Sequence, residues 1–292
     1  MVNAAFVKYL AALLLFGMNG IIASFIALSS YEIVFLRALI GGLLLLAVFL
    51  ILRNKFTFYR NKRNLIFLIL SGSAMGASWM FLYEGYQQTG VAVSSLLYYC
   101  GPVIVMLLSP LLFREKFTVP RVTGFIIVAG GCLLLNIQGF MEGTAGFGLL
   151  CGALSAVMYA AMVICNKKTS GVSGLENPLM QLFFGFVTVG VFVAFKSGFG
   201  FLLNIQPGDW VFILILGLIN TGLGCYLYFS SLGGLPVQTV SIIGYLEPLA
   251  AVVFSAVFLQ EILSPLQVAG AVCIIGGALF AEIRWRRRKS GQ

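Results

Sequence analysis

Residues 91–133, VAVSSLLYYCGPVIVMLLSPLLFREKFTVPRVTGFIIVAGGCL, are written a second time as residues 237–279, VQTVSIIGYLEPLAAVVFSAVFLQEILSPLQVAGAVCIIGGAL. Val91, Ser95, Tyr99, Pro102, Ser109, Glu115, Val122, Gly124, Gly130, Gly131 and Leu133 fall without a gap on Val237, Ser241, Tyr245, Pro248, Ser255, Glu261, Val268, Gly270, Gly276, Gly277 and Leu279. Most of these identities are Gly, Pro, Ser, Tyr or Glu, whereas chance matches in apolar sequence would be Leu, Val or Ala. The stretch marks an internal duplication.

Around it the chain is 60% hydrophobic and only 9% charged. Soluble domains carry roughly 25% charged residues, so this composition belongs to an integral membrane protein, with the lipid bilayer as its first partner. The net charge of +9 sits in short runs between apolar segments, without the interleaved aromatic and basic residues of a nucleic-acid binder. Histidine is absent, which excludes His metal sites and Ser-His-Asp triads. The six cysteines lie inside apolar stretches without a CxxC and read as buried free thiols. No GxxxxGK[ST] or HExxH occurs, so ATP, cofactors, metals and an enzymatic role are not expected.

A spanning helix needs about 20 apolar residues. Ten such segments can be drawn, roughly 8–28, 32–52, 64–87, 91–113, 120–136, 146–166, 177–196, 209–231, 237–259 and 265–283; they are called segments 1 to 10 below. Pro120 and Pro265 stand at the starts of segments 5 and 10, where a missing N–H costs nothing, with Thr118 and Ser264 before them as expected N-caps. Trp210 and Trp285 fall at expected interfaces. With the N-terminus inside, sixteen of the 18 Lys and Arg residues lie on the inner side. Lys196 alone is outside and Arg37 alone is within a helix, so the positive-inside rule places both termini in the cytoplasm. Each half then holds an odd number of helices, and duplication inverts the second. The expected fold is an all-α integral membrane protein of ten transmembrane helices in two inverted-topology five-helix repeats. Residues 1–140 form the first; residues 141–292 form the second and carry a basic cytoplasmic tail. Inverted repeats mark secondary transporters, in which one half rocks against the other.

The chain resembles the EamA family of the drug/metabolite transporter superfamily. The specific part is the string Pro102, Glu115, Gly124, Gly130-Gly131 and its second writing Glu247-Pro248, Glu261, Gly270, Gly276-Gly277. The aromatic-Gly pair usual in segment 1 is Phe16-Gly17 rather than Trp-Gly, and segment 6 lacks its Trp. The resemblance implies a central cavity lined by segments 1, 3, 4, 6, 8 and 9, peripheral segments 5 and 10, and export of amino acids or other small metabolites.

Charges within a membrane are expensive and each needs a reason. Arg37 and Glu84 lie at matching depth in segments 2 and 3, as a locking salt bridge, an outer-gate pair or, for Glu84, a proton site. Tyr31 and Glu32 stand at the water boundary and read as solvated. Glu247 is the deepest carboxylate, and its copy is Gly101. It reads as a substrate-ammonium or proton site, or as a carboxylate bonded to neighbouring Tyr or Asn. Pro102 and Pro248 break segments 4 and 9 and free the carbonyls of Tyr98 and Gly244, which lipid tolerates only beside protein or a wet cavity. Trp79 and Tyr83 lie with Gly72, Gly76 and Tyr86 on one face of segment 3. Tyr98, Tyr99, Tyr159, Tyr245, Asn19 and Asn220 add polar or aromatic groups at cavity depth, as substrate contacts or interhelical glue. Tyr226 belongs to the same set. The paired glycines read as close-packing positions, and Glu115 and Glu261 as partners for exposed N–H groups at helix starts. The substrate expected is a small amphipathic compound such as an amino acid, with protons left open as coupling ion. A multidrug or organic-cation exporter, or a scaffold or receptor that moves nothing, are the alternatives.

Overall fold

A computed structural model describes residues 4–113, 119–142, 146–169, 172, 174–232, 244 and 246–282. Among them the chain is helical and without strands. Six helices are long and apolar enough to cross a membrane: Ala4–Ser24, Ser30–Ile51, Lys62–Thr89, Gly146–Lys167, Glu176–Lys196 and Asp209–Tyr228. Shorter apolar helices at Val91–Val105, Val122–Gly131, Leu246–Leu259 and Pro265–Gly277 lie where segments 4, 5, 9 and 10 are expected. Thr118, Glu115, Tyr245 and Trp285 fall outside the described residues.

Local chemistry sets the helix ends. The Asn61 side chain accepts from the amides of Arg63 and Asn64 and starts segment 3. Ser264 and Gln267 close a capping box at Pro265, the Ser264 hydroxyl accepting from the Gln267 amide and the Gln267 side chain from the Ser264 amide. Glu32 is not solvated at the boundary; it is buried and folds back to accept from the Ser29 amide at 3.0 Å, completing another capping box. Segment 3 turns into segment 4 at Gly90, whose φ of +88° suits only glycine.

Segment 4 is two helices, Val91–Tyr98 and Gly101–Phe113. Pro102 has no N–H for the Tyr98 carbonyl, and the chain passes through a tight turn in which the Cys100 amide bonds Leu97 O at 3.0 Å. Segment 1 breaks likewise at Met18, between helices Ala4–Gly17 and Asn19–Ser24. Segment 8 contains a π stretch, Ile215–Leu223, and segment 9 a second, Ser255–Leu259.

The packing partners come in matched pairs. Segment 3 packs on 6, and 8 on 1; segment 2 packs on 8, and 7 on 3; segment 4 packs on 6, and 9 on 1. Exchanging segments 1–5 with 6–10 in order turns each contact into its mate. Segments 5 and 10 pack on each other antiparallel. A Cβ on Gly131 would stand 2.7 Å from the Gly270 carbonyl and 2.9 Å from Cys273 Cβ. One on Gly277 would stand 3.0 Å from the Gly124 carbonyl and 2.9 Å from Ile127 Cβ. These are the same contact made twice, because Gly124, Ile127 and Gly131 align with Gly270, Cys273 and Gly277. Gly130 and Gly276, also expected at close crossings, instead face open space. Segments 2 and 7 pack antiparallel too, Tyr31 against Phe192 and Phe35 against Phe186. Segments 3 and 6 are tied by hydroxyls, Ser71 to Met162 O at 2.9 Å and Ser78 to Ser155 O at 2.7 Å.

Candidate functional site

At the depth of the breaks in segments 1 and 4 lies a cavity of about 30 Å³. It is lined by Phe16, Asn19, Arg37, Trp79, Leu82, Tyr86, Ser95, Tyr98, Tyr99, Glu247 and Ala251. The first half thus supplies nearly the whole wall, and the second half supplies Glu247 and Ala251. The Tyr99 hydroxyl donates to the Glu247 carboxylate. Tyr98 stands edge-on to Tyr99 with ring centres 5.2 Å apart, and to Tyr159 at 5.1 Å.

Arg37 is 3% exposed. Its Nε donates to Thr221 Oγ1 at 3.0 Å, and one Nη donates to the Tyr83 hydroxyl. The guanidinium lies over Trp79, 4.4 Å from the ring centre, and beside Tyr83 at 5.1 Å. Thr221 spends its own proton on the Leu216 carbonyl, so its oxygen is turned toward the arginine. Among the described residues Arg37 and Glu84 form no ion pair, which corrects the expectation from matching depth. Glu84 accepts from the Ser30 hydroxyl and, at 3.0 Å, from the Gln88 side chain. Ser30 is seven residues from Arg37, about 10 Å along a helix, and adjacent residues on segment 3 point about 100° apart. Tyr83 therefore meets Arg37 while Glu84 meets Ser30. Segments 2 and 3 are locked together, but by two separate bonds.

Of the residues expected at the site, the cavity gathers Asn19, Arg37, Trp79, Tyr98, Tyr99 and Glu247. Tyr83, Tyr159 and Asn220 stand one layer behind. The Asn220 amide donates to Leu15 O at 2.6 Å and Asn19 Oδ1 at 3.1 Å, stapling the break in segment 1. The lining comes from segments 1, 2, 3, 4 and 9 rather than from 1, 3, 4, 6, 8 and 9: segments 6 and 8 brace the wall, and segment 2 enters it through Arg37. Phe16, Leu82, Tyr86, Ser95 and Ala251 also line the cavity. Tyr86 was legible on the segment 3 face, Phe16 in the Phe16-Gly17 pair and Ser95 in the repeat, whereas Leu82 and Ala251 carry no signal in the sequence. The described cysteines 100, 151, 165, 225 and 273 are free thiols. No cluster of described residues is suited to a metal ion.

Known proteins resemble this chain. The model of the EamA-like transporter family matches the chain twice, at residues 4–137 and 146–282. An uncharacterized transporter of Bacillus subtilis (strain 168), YxxF, is 28% identical over 285 residues, covering 97% of this chain and 90% of that protein. An uncharacterized transporter of Archaeoglobus fulgidus is 28% identical, covering 68% of this chain and 69% of that protein. Human solute carrier family 35 member G1 is 24% identical, covering 79% and 66%. One crystal structure superposes with a TM-score of 0.68 over 96% of this chain and 98% of its own at 18% identity, a likeness of fold. A multi-pass membrane protein with two tandem copies of the family unit, this chain belongs to the EamA-like transporter family.

Proposed function

We propose that the chain is a ten-helix secondary transporter that moves a small amphipathic metabolite, an amino acid or a relative, by alternating access of two inverted halves. The antiparallel packing of segments 5 on 10 and 2 on 7 supports the inversion. The observation that carries the reading is the cavity at the seam, where the aromatic wall of the first half meets the single carboxylate of the second. A pocket for a small organic ligand holds about 300–1,000 Å³, and this one holds room for about one water, so access requires the halves to part. Aromatic rings suit the apolar part of the substrate; Glu247 suits an ammonium or a proton. Export across a prokaryotic cytoplasmic membrane follows the family resemblance, and both termini inside follows the charge count. Labelling of a cysteine placed at position 58 from outside intact cells would overturn that orientation.

Trp79, Tyr86, Tyr98 and Tyr99 around one carboxylate would also suit an organic cation, the second reading; Arg37 in the same wall opposes it. Flux of labelled amino acids and of organic cations into proteoliposomes separates the two. Absence of flux across a broad metabolite panel would leave a scaffold or receptor.

A further inference from the structure

Arg37 is a deeply buried guanidinium whose contact partners among the described residues are neutral: Thr221, Tyr83 and the ring of Trp79. A guanidinium carries five N–H donors, and a buried charge without an anion is costly. Those contacts fix its plane and its position and leave its charge unmatched at contact distance. The same small cavity is lined, from the other half of the molecule, by the carboxylate of Glu247. Tyr99 orients that carboxylate as Thr221 and Tyr83 orient the guanidinium. The wall therefore presents one fixed positive and one fixed negative group to a single space whose lining is otherwise largely aromatic.

We infer that Arg37 and Glu247 together form a zwitterion filter, Arg37 taking the substrate carboxylate and Glu247 its ammonium. This rests on the transporter reading above and adds a role for Arg37 that the expected pairing with Glu84 had hidden. Such a wall is neutral overall. It repels a plain cation through Arg37 and a plain anion through Glu247, and it rewards a compound that carries both charges on one short frame. Because the two charges come from opposite halves, a zwitterion is held by both at once only when the halves close around it.

The test uses the purified full chain, with binding read by thermal shift and flux read in proteoliposomes. The probes are alanine, leucine and phenylalanine, each with its methyl ester (a cation) and its N-acetyl derivative (an anion). The wild type should bind at least one free amino acid about tenfold or more tighter than either derivative, the scale of one charged hydrogen bond. Arg37→Gln should bind that amino acid and its ester alike, and Glu247→Gln should bind it and its N-acetyl form alike. If Arg37→Gln does not yield folded protein, Arg37→Lys replaces it: the charge stays but the planar fork is lost, so the preference over the ester should shrink while ester binding holds. A wild type that binds no free amino acid, or prefers the ester, overturns the inference, as does an Arg37 variant with unchanged discrimination. Flux of another solute class in those cases would leave the transporter reading standing. Binding with the expected discrimination but no flux would instead overturn that reading alone.

Discussion

Segments 4 and 9 are two copies of one sequence, and each crosses a helix of the opposite half at the level of its proline. The small residue that permits the crossing lies on opposite partners. In the first crossing it is Gly101 of segment 4: a Cβ there would stand 2.6 Å from Tyr159 Cδ1 and 3.0 Å from the Ala156 carbonyl. In the second it is Gly17 of segment 1: a Cβ there would stand 2.8 Å from Ala250 Cβ and 3.2 Å from the Glu247 carbonyl. Two helices approach closely when either one is small at the contact. With Gly17 supplying the space, position 247 is released from being glycine, and it carries the carboxylate. The difference between the two halves at this position thus follows from where a glycine sits.

The largest effect should come from the charge at that asymmetric position. Glu247→Gln keeps the size and the hydrogen bond with Tyr99 and removes the charge. We expect folded, monodisperse protein whose substrate flux in proteoliposomes falls about tenfold or more. Wild-type flux in this variant would make segments 4 and 9 equivalent after all and assign Glu247 to structure, leaving Asn19, Trp79, Tyr99 and Asn220 to be tested next.

The crossings themselves come next. Gly101→Ala and Gly17→Ala each force a methyl into a filled contact, at a cost of about 1–3 kcal/mol. Thermal unfolding in detergent should fall for both. The 5–10 contact supplies its own control: Gly131→Ala meets the Gly270 carbonyl, whereas a Cβ at Gly130 meets nothing within 4 Å. Gly131→Ala should lower the midpoint and Gly130→Ala should leave it in place or raise it. Equal behaviour of the neighbours would mean that the crowding at Gly131 does not limit stability.

These glycines show how far the sequence could be read. The repeat exposed them because glycines that survive duplication at the same register mark backbone contacts, and Pro102, which breaks segment 4, stands out for the same reason. Pattern could not tell Gly130 from Gly131, since both belong to the same Gly-Gly and only rotation about the helix axis decides which one faces segment 10. The misassigned Arg37–Glu84 pair has a similar origin. Depth along a helix can be counted from its ends, but Tyr83 and Glu84 share a depth and differ by direction, which depends on how segments 2 and 3 are rotated against each other. Tyr98, Tyr99 and Trp79 were legible because aromatic and polar groups at mid-membrane are out of place in lipid. Leu82 and Ala251 were not, because an apolar residue lining a cavity looks like any other apolar residue of a membrane helix.

The smallest effect expected concerns how segment 9 holds the start of segment 4. The π stretch Ser255–Leu259 ends at Gln260, whose left-handed φ of +55° turns the chain. Glu261 then reaches across to accept from the amides of Val91 at 2.8 Å and Ala92 at 3.0 Å. One carboxylate thereby satisfies two of the unpaired N–H groups at a helix start and places a negative charge at the positive end of the helix dipole. Glu261→Gln keeps one acceptor oxygen and removes the charge, so it should cost about 0.5–2 kcal/mol, the range of a lost helix cap. Hydrogen exchange should quicken at Val91 and Ala92 while the 5–10 contact, built of glycine and aliphatic packing, keeps its protection. If exchange rises evenly through segments 4, 5 and 10, the carboxylate steadies the packed helices of both halves rather than one helix end. If neither stability nor exchange changes, Gly90 alone suffices to start segment 4, and the bond between the halves at this end contributes nothing to the fold.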